Sequence, residues 1–120
     1  MLAVGVDLVE ISRVERVLQR HGERFLRRVY TEREVAYARG RAAALATRWA
    51  AKEAAAKAFG TGIGSIRFNE IEILCDEQGK PELHLHGRAA QLANQCQWKY
   101  LAVSLSHAGD CAIAFVVAQR

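Results

Sequence analysis

The sequence predicts an α+β fold, a single domain over residues 1–120 in which a long alanine-rich helix packs on a small, mostly antiparallel sheet. The chain has 120 residues, which leaves no room for a second domain of ordinary size. Residues 41–59 are rich in alanine, the strongest helix former. From residue 71 onward apolar and polar residues alternate, as in strands with one buried face. No internal repeat or low-complexity linker interrupts this organisation.

The strand and helix at the N-terminus follow from apolar patterning and a helix-start signal. Residues 2–8 are rich in apolar and β-branched side chains, which predicts a buried strand. Ser12 stands three residues before Glu15, a spacing in which each side chain satisfies a free backbone N–H of the other. We therefore expect a helix from about Arg13 to Gly22, because glycine commonly ends helices.

Two further helices are predicted before the chain changes to strands. Thr31 and Glu34 repeat the helix-start spacing and predict a short helix that ends at Gly40. The alanine-rich residues 41–59 predict the longest helix, which Gly60 closes. Alanine side chains are small, so this helix is expected to pack closely against a neighbouring element.

The C-terminal half is predicted to form two hairpins separated by a helix. Apolar residues alternate with polar ones in 71–73 and 83–85, on either side of a polar turn. Residues 87–96 favour a short helix. Residues 100–107 and 111–118 predict a second hairpin, which is mostly apolar and is therefore expected at the centre of the sheet.

Composition and charge narrow the class of protein. Lys and Arg number 17 against 13 Asp and Glu, a net charge of +4 that predicts attraction to an acidic protein, a phosphate or a nucleic acid. No apolar run approaches the roughly 18 residues of a membrane span, and the apolar N-terminus meets Asp7 without a cleavage signal. Cys75, Cys96 and Cys111 are expected to be small buried hydrophobes, since three cysteines cannot all pair. We expect a soluble cytoplasmic protein.

Three charged residues are candidates for a reactive site. Asp7 interrupts an apolar strand, where an unpaired carboxylate would cost several kcal/mol, so it requires a partner: an arginine, a helix N-terminus or a metal ion. Glu53 precedes Lys57 by four residues, which favours an exposed ion pair on one helix face. The alanines around that pair leave space for a large ligand.

Arginines form one face of the first predicted helix. We call this face, with two arginines that follow it, the basic ridge. Its members are Arg13, Arg16, Arg20, Arg24 and Arg27. The ridge is expected to attract an acidic partner or to be an ordinary solvated surface, and Arg13 is expected on a helix face away from Asp7 and Glu53.

Three other motifs do not by themselves indicate a functional site. The glycine-rich segment 60–64 follows a helix instead of opening one, which favours a loop over a dinucleotide site. His84 and His86 share a strand face without an evident third metal ligand. Ser106 and His107 are adjacent on a strand and face opposite ways, which argues against a nucleophilic pair.

Five blocks of the chain resemble the holo-[acyl-carrier-protein] synthases, the small bacterial type of 4′-phosphopantetheinyl transferase. The blocks follow the order of that family and cover nearly the whole chain. The most specific are AAKEAAAKAFGTG and GVDLVEI. The blocks are 50–62, 5–11, 25–34, 79–81 and 104–107.

The resemblance implies a reaction and the residues for it. The family transfers phosphopantetheine from coenzyme A to a serine of apo acyl carrier protein and releases adenosine 3′,5′-bisphosphate. By this resemblance Asp7 and Glu53 are the ligands of a catalytic Mg²⁺, and Lys57 acts beside the reacting phosphate. The residues implied in coenzyme A binding are Lys57, Gly60, Gly62, Pro81 and His107.

The resemblance also implies partners. It implies a homotrimer with active sites between subunits, and acyl carrier protein as the acidic partner of the basic ridge, with no nucleic acid or membrane. One alternative is a nucleic-acid-binding module that uses the same ridge, although it leaves Asp7 and Glu53 without a purpose. Another is a structural trimer without activity, which the set of Asp7, Glu53 and Lys57 disfavours.

Overall fold

The computed structural model describes residues 1–60, 64 and 66–120, and within them helices and strands follow in α+β order. The strands are β1 (Leu2–Glu10), β2 (Ile71–Cys75), β3 (Pro81–Leu85), β4 (Tyr100–Ala108) and β5 (Cys111–Gln119). The helices are α1 (Ile11–His21), α2 (Glu23–Val29), α3 (Glu32–Ala38), α4 (Ala42–Phe59) and α5 (Gly87–Gln95), with a 3₁₀ turn at Phe68–Glu70.

The strands form two antiparallel sheets. One has the order β1-β5-β4, and the other pairs β2 with β3. The central position of β5 is as predicted, because its alternate alanine and valine side chains face the core. The predicted α+β class, with a long alanine-rich helix on antiparallel strands, is confirmed; the single sheet of the prediction is divided into these two.

Helix α4 lies directly on the sheets, as its alanine content predicts. Ala50, Ala51, Ala54 and Ala55 are fully buried in one hydrophobic cluster with residues of β2 and β5. Gly5 of β1 lies against the backbone of α4, where a β-carbon would overlap the carbonyl oxygen of Ala54. Small side chains on both elements therefore allow β1 to cross α4 at close range.

A buried ion pair anchors the other side of α4. Lys52 and Glu34 are fully buried, and Lys52 Nζ lies 2.8 Å from Glu34 Oε1 and 2.9 Å from the carbonyl oxygen of Phe68. Burial lowers the pKa of Lys52, although the nearby Glu34 opposes this shift. Glu34 also completes the predicted capping box with Thr31 and accepts a hydrogen bond from the backbone N–H of Ile73. The pair joins α4 to α3 and β2.

The first helix is present and ends at Gly22 as predicted, but the structure differs from the prediction at its start and in the element that follows. Helix α1 begins at Ile11, before the predicted start at Arg13, and no side chain caps it through the Ser12 spacing. Instead the backbone N–H of Ser12 donates to Asp110 Oδ1 at 2.8 Å, because the pairing of β1 with β5 brings the β4–β5 turn to the start of the helix. Helix α2 (Glu23–Val29), which was not predicted, follows α1 after Gly22 alone.

The cysteines differ from the prediction as well. All three are free thiols, but Cys111 is exposed and Cys75 and Cys96 are half-buried. Each stands at the end of an element, where packing is incomplete. Within the described residues, no helix has the length and apolarity needed to cross a membrane.

Candidate active site

Strand β1 and helix α4 bring Asp7 and Lys57 together. Lys57 Nζ lies 2.9 Å from Asp7 Oδ1 and 3.1 Å from the carbonyl oxygen of Val6. The Asp7 side chain is 18% exposed and that of Lys57 is 57% exposed. Asp7 thus has the partner that its place in an apolar strand requires, and the partner is a lysine that still reaches solvent.

Glu53 lies one turn before Lys57 on α4 but does not hold it. The ion pair of Lys57 in the described part of the chain is with Asp7, so the expected pair of Glu53 with Lys57 is wrong. Glu53 Oε1 instead accepts a hydrogen bond from Trp49 Nε1 at 3.3 Å. The reason is the close approach of β1, which offers Lys57 a carboxylate across the helix face.

A cavity of about 500 Å³ unites the predicted carboxylates. Asp7, Glu53, Trp49 and Arg13 line it, together with apolar residues of β1 and α1. Arg13 was expected away from Asp7 and Glu53, and the structure corrects this. Because α1 follows β1 without a loop, its first turn faces back over the end of the strand.

The cavity offers oxygen ligands in a mixed electrostatic setting. Three carboxylates, Asp7, Glu10 and Glu53, line the cavity together with Arg13. Lys57 is paired with Asp7. Over residues 1–60, 64 and 66–120, no three His, Cys, Asp or Glu side chains cluster as a ready-made metal site. His86 contacts Glu72 Oε1 at 2.9 Å. The arrangement suits a charged ligand that brings its own oxygen atoms to a cation.

Pro81 and His107 lie elsewhere, at a second cavity of about 460 Å³. Arg48 lines this cavity, is 4% exposed and stacks on Tyr37, with its guanidinium carbon 4.3 Å from the ring centroid. Its Nε has no hydrogen-bond partner among the described residues. Sequence analysis missed Arg48 because nothing in its spacing separates it from the other arginines.

The two glycines that the resemblance implies in coenzyme A binding are Gly60 and Gly62. The two cavities share no lining residue in the described chain. Gly60 caps the C-terminus of α4, and its backbone N–H donates to Ala56 and Lys57 carbonyl oxygens at 3.2 and 3.0 Å. Gly62 lies outside the described residues. Of the described residues that the family resemblance assigns to coenzyme A, Pro81 and His107 line one cavity, whereas Lys57 and Gly60 do not line it.

The rest of the basic ridge is on the surface. Arg16 and Arg20 are exposed on α1, and Arg24 and Arg27 are exposed on α2. Arg27 forms an ion pair with Glu23 at 3.5 Å, with both side chains largely in solvent. Since α2 continues from α1, the ridge extends over two helices instead of one.

Comparisons with known proteins agree on one family. Residues 3–116 match the model of the 4′-phosphopantetheinyl transferase superfamily. The chain is 53% identical to a holo-[acyl-carrier-protein] synthase of Herpetosiphon aurantiacus, with 98% of each chain covered, and 50% identical to one of Chloroflexus aggregans, with 98% and 95% covered.

Solved structures give the same result. A holo-[acyl-carrier-protein] synthase of Helicobacter pylori, in complex with coenzyme A, superposes with a TM-score of 0.88 at 30% identity over 97% of this chain and 99% of that one. The corresponding protein of Neisseria meningitidis gives a TM-score of 0.86 at 36% identity over 98% of both chains.

Proposed function

Because the chain belongs to the holo-[acyl-carrier-protein] synthases of the 4′-phosphopantetheinyl transferase superfamily, we propose the following reaction for it. The enzyme transfers 4′-phosphopantetheine from coenzyme A to a serine hydroxyl of apo acyl carrier protein in the cytoplasm. The reaction depends on Mg²⁺, releases adenosine 3′,5′-bisphosphate and supplies carrier protein for fatty acid biosynthesis. The observation that carries the proposal is the cavity that Asp7 and Glu53 share, with Lys57 paired to Asp7.

The donor set of the cavity fits Mg²⁺. This ion takes oxygen ligands, and commonly only one or two protein carboxylates besides substrate oxygens and waters. Asp7 and Glu53 supply two carboxylates in one cavity. When bound, Mg²⁺ neutralises negative charge on the pyrophosphate of coenzyme A.

The other roles in the proposed reaction belong to side chains of the protein. Asp7 holds the Lys57 ammonium at 2.9 Å, which orients a positive charge toward the phosphate on which negative charge accumulates during transfer. The serine hydroxyl must lose its proton, and Glu53 is a candidate general base because its carboxylate lines the same cavity. Arg13, at the edge between the cavity and the ridge, is placed to contact the carrier protein near its serine.

An exposed apolar face supports the proposed homotrimer. Alternate positions of β1 and β5 place large apolar side chains on the outer face of the β1-β5-β4 sheet. Val6 and Phe115, for example, are register partners on neighbouring strands. The exposed members are Leu2, Val4, Val6, Leu8, Tyr100, Ile113 and Phe115, each at least 40% exposed. Such a contiguous face marks an association surface, and further copies of this chain are the proposed occupants.

Association would also complete the coenzyme A site. The cavity of Pro81 and His107 and the cavity of Asp7 and Glu53 are separate within one chain. In the proposed active site between subunits, the cavity of Asp7 and Glu53 in one copy meets the cavity of Pro81 and His107 in its neighbour. Sedimentation equilibrium should give a trimer for the wild type, and Phe115→Glu should give smaller species with lower activity; a monomeric, fully active wild type would contradict the trimer.

Intact-mass analysis tests the activity. Apo acyl carrier protein, coenzyme A, Mg²⁺ and enzyme are incubated, and the carrier protein should gain one phosphopantetheine group. A carrier protein whose acceptor serine is alanine is the control and should gain nothing. Chelation of Mg²⁺ should prevent the gain. No mass gain with bacterial apo carrier proteins and folded enzyme would refute the proposed function.

A further inference from the structure

Trp49 occupies a constrained place beside Glu53. Its indole ring packs between two aromatic rings, with centroid distances of 5.4 Å to Phe25 and 6.4 Å to Phe68. Its Nε1 donates to Glu53 Oε1 at 3.3 Å. The ring also lines the cavity that holds Glu53. The tilted contact with Phe25 and the edge contact with Phe68 restrict the rotation of the indole and so the direction of its N–H group.

The buried ion pair of Lys52 and Glu34 also helps to hold Trp49 in place, through Phe68. Lys52 Nζ donates to the carbonyl oxygen of Phe68 at 2.9 Å and holds the residue whose ring contacts Trp49. Lys52 is fully buried and is itself held by Glu34. A continuous series of contacts therefore runs from the interior of the protein through Phe68 and Trp49 to the Glu53 carboxylate.

We propose that Trp49 is a positioning residue that orients Glu53 for cation binding through its indole N–H. A carboxylate has two oxygens, and a hydrogen bond to Oε1 restricts the rotation of the group while Oε2 stays available to a ligand. Loss of the partner that orients a metal ligand typically lowers metal affinity 10- to 100-fold. This inference rests on the proposed function for the identity of the cation, Mg²⁺.

Trp49→Phe is the decisive variant, because phenylalanine keeps an aromatic ring and removes only the N–H donor and part of the ring area. Trp98→Phe is the matched control, since Trp98 is the other tryptophan and stacks on Phe59 at a centroid distance of 4.2 Å. Mn²⁺ binding in the presence of coenzyme A is measured by electron paramagnetic resonance without carrier protein. We expect roughly 10-fold weaker binding for Trp49→Phe and less than 2-fold change for Trp98→Phe.

A second measurement uses the wild-type side chain and does not depend on how well Trp49→Phe folds. The chain has two tryptophans and therefore two indole N–H resonances. The resonance that is lost in Trp98→Phe belongs to Trp98, and the one that remains belongs to Trp49. With coenzyme A present, Mg²⁺ should shift the Trp49 indole resonance in the wild type but not in Glu53→Gln.

The outcomes separate the positioning role from the function. Equal Mn²⁺ affinity in Trp49→Phe and wild type, or an unmoved Trp49 resonance while the wild type binds the ion, would overturn the positioning role and leave the proposed function standing. Absence of Mn²⁺ binding in the wild type would overturn the positioning role together with the metal part of the proposed function. The intact-mass assay of phosphopantetheine transfer is a separate measurement and tests the proposed activity itself.

Discussion

Gly5 of β1 and Ala54 of α4 are in backbone contact, and a β-carbon on Gly5 would occupy the position of the Ala54 carbonyl oxygen. This contact sets the distance between the strand that carries Asp7 and the helix that carries Glu53 and Lys57. The 2.9 Å ion pair of Asp7 with Lys57 depends on that distance, since the two residues lie 50 positions apart in sequence. The geometry of the candidate active site is thus determined at a position with no side chain.

Gly5→Ala should therefore separate β1 from α4. The added methyl group meets backbone atoms that cannot rotate away, and we expect a loss of about 3 kcal/mol in the free energy of unfolding. Urea denaturation followed by circular dichroism measures this loss. Gly64→Ala is the control, because no described atom lies within 4 Å of a β-carbon there. Equal stabilities of the two variants would show that the strand tolerates displacement.

Asp7→Asn and Glu53→Gln should each lower kcat by a factor on the order of 10²–10³, because each removes a carboxylate charge and keeps the size of the side chain. Steady-state transfer of phosphopantetheine, followed by carrier-protein mass, measures the rate. Glu32→Gln, at an exposed position of α3, is the charge-matched control and should retain wild-type activity. Turnover that is indifferent to both cavity substitutions would mean that the two carboxylates are structural.

Lys57→Met should affect kcat more than the KM for coenzyme A. If the ammonium neutralises charge that develops during transfer, its loss costs on the order of 10²-fold in kcat. Methionine keeps the unbranched stem and the helix propensity, so the packing of α4 is preserved. Lys57→Arg, which keeps the charge, should recover part of the rate. A variant with raised KM and unchanged kcat would limit Lys57 to ground-state binding.

Arg16→Glu should act on the carrier protein and not on coenzyme A. Arg16 is exposed on α1, whereas Arg13 lines the cavity of Asp7 and is unsuitable for this test. Replacing attraction by repulsion at an exposed pair is worth about 1 kcal/mol, or a roughly five-fold rise in the KM for carrier protein. Since salt screens surface charges, the wild-type KM should rise with ionic strength and that of the variant should rise less.

Lys99→Glu makes the same change of charge at an exposed position outside the ridge and is the control for Arg16→Glu. Its KM for carrier protein should stay within two-fold of wild type, by the weakness of screened surface charges. A similar rise in both variants would point to net charge alone, and a change in the KM for coenzyme A would assign Arg16 to phosphate binding.

Glu72 predicts a dependence of stability on pH. Its side chain is 2% exposed. Burial raises its pKa, but hydrogen bonds from Thr31, His86 and Arg33 lower the pKa by more than burial raises it. The net pKa is therefore below the usual 4.5. A carboxyl whose folded pKa is depressed contributes stability above pH 4.5, and this contribution is lost as pH falls through the folded pKa.

Glu72→Gln should consequently cost about 1–3 kcal/mol in unfolding free energy at pH 7, and the cost should shrink below pH 4.5. Urea unfolding at a series of pH values measures both. Glu77→Gln, at an exposed turn, is the control and should change stability little at any pH. A cost that is independent of pH would attribute the role of Glu72 to shape and not to charge.

Sequence patterns identified the local structure well where the determining contacts are local. The Thr31 and Glu34 capping box, the long alanine-rich helix and both hairpins depend on residues within a few positions of one another. The motif around Glu53, joined to the strand of Asp7, also indicated the family. These features follow from backbone hydrogen bonding and side-chain periodicity, which a sequence states directly.

Tertiary structure decided the contacts between distant residues. Ser12 has a local candidate partner in Glu15 but binds Asp110, 98 residues away, because β5 pairs with β1. Lys57 likewise pairs with Asp7 instead of Glu53, although Glu53 is on the same helix face. In each case strand pairing or close helix packing brings a competing carboxylate nearer, and sequence spacing carries no information about that distance.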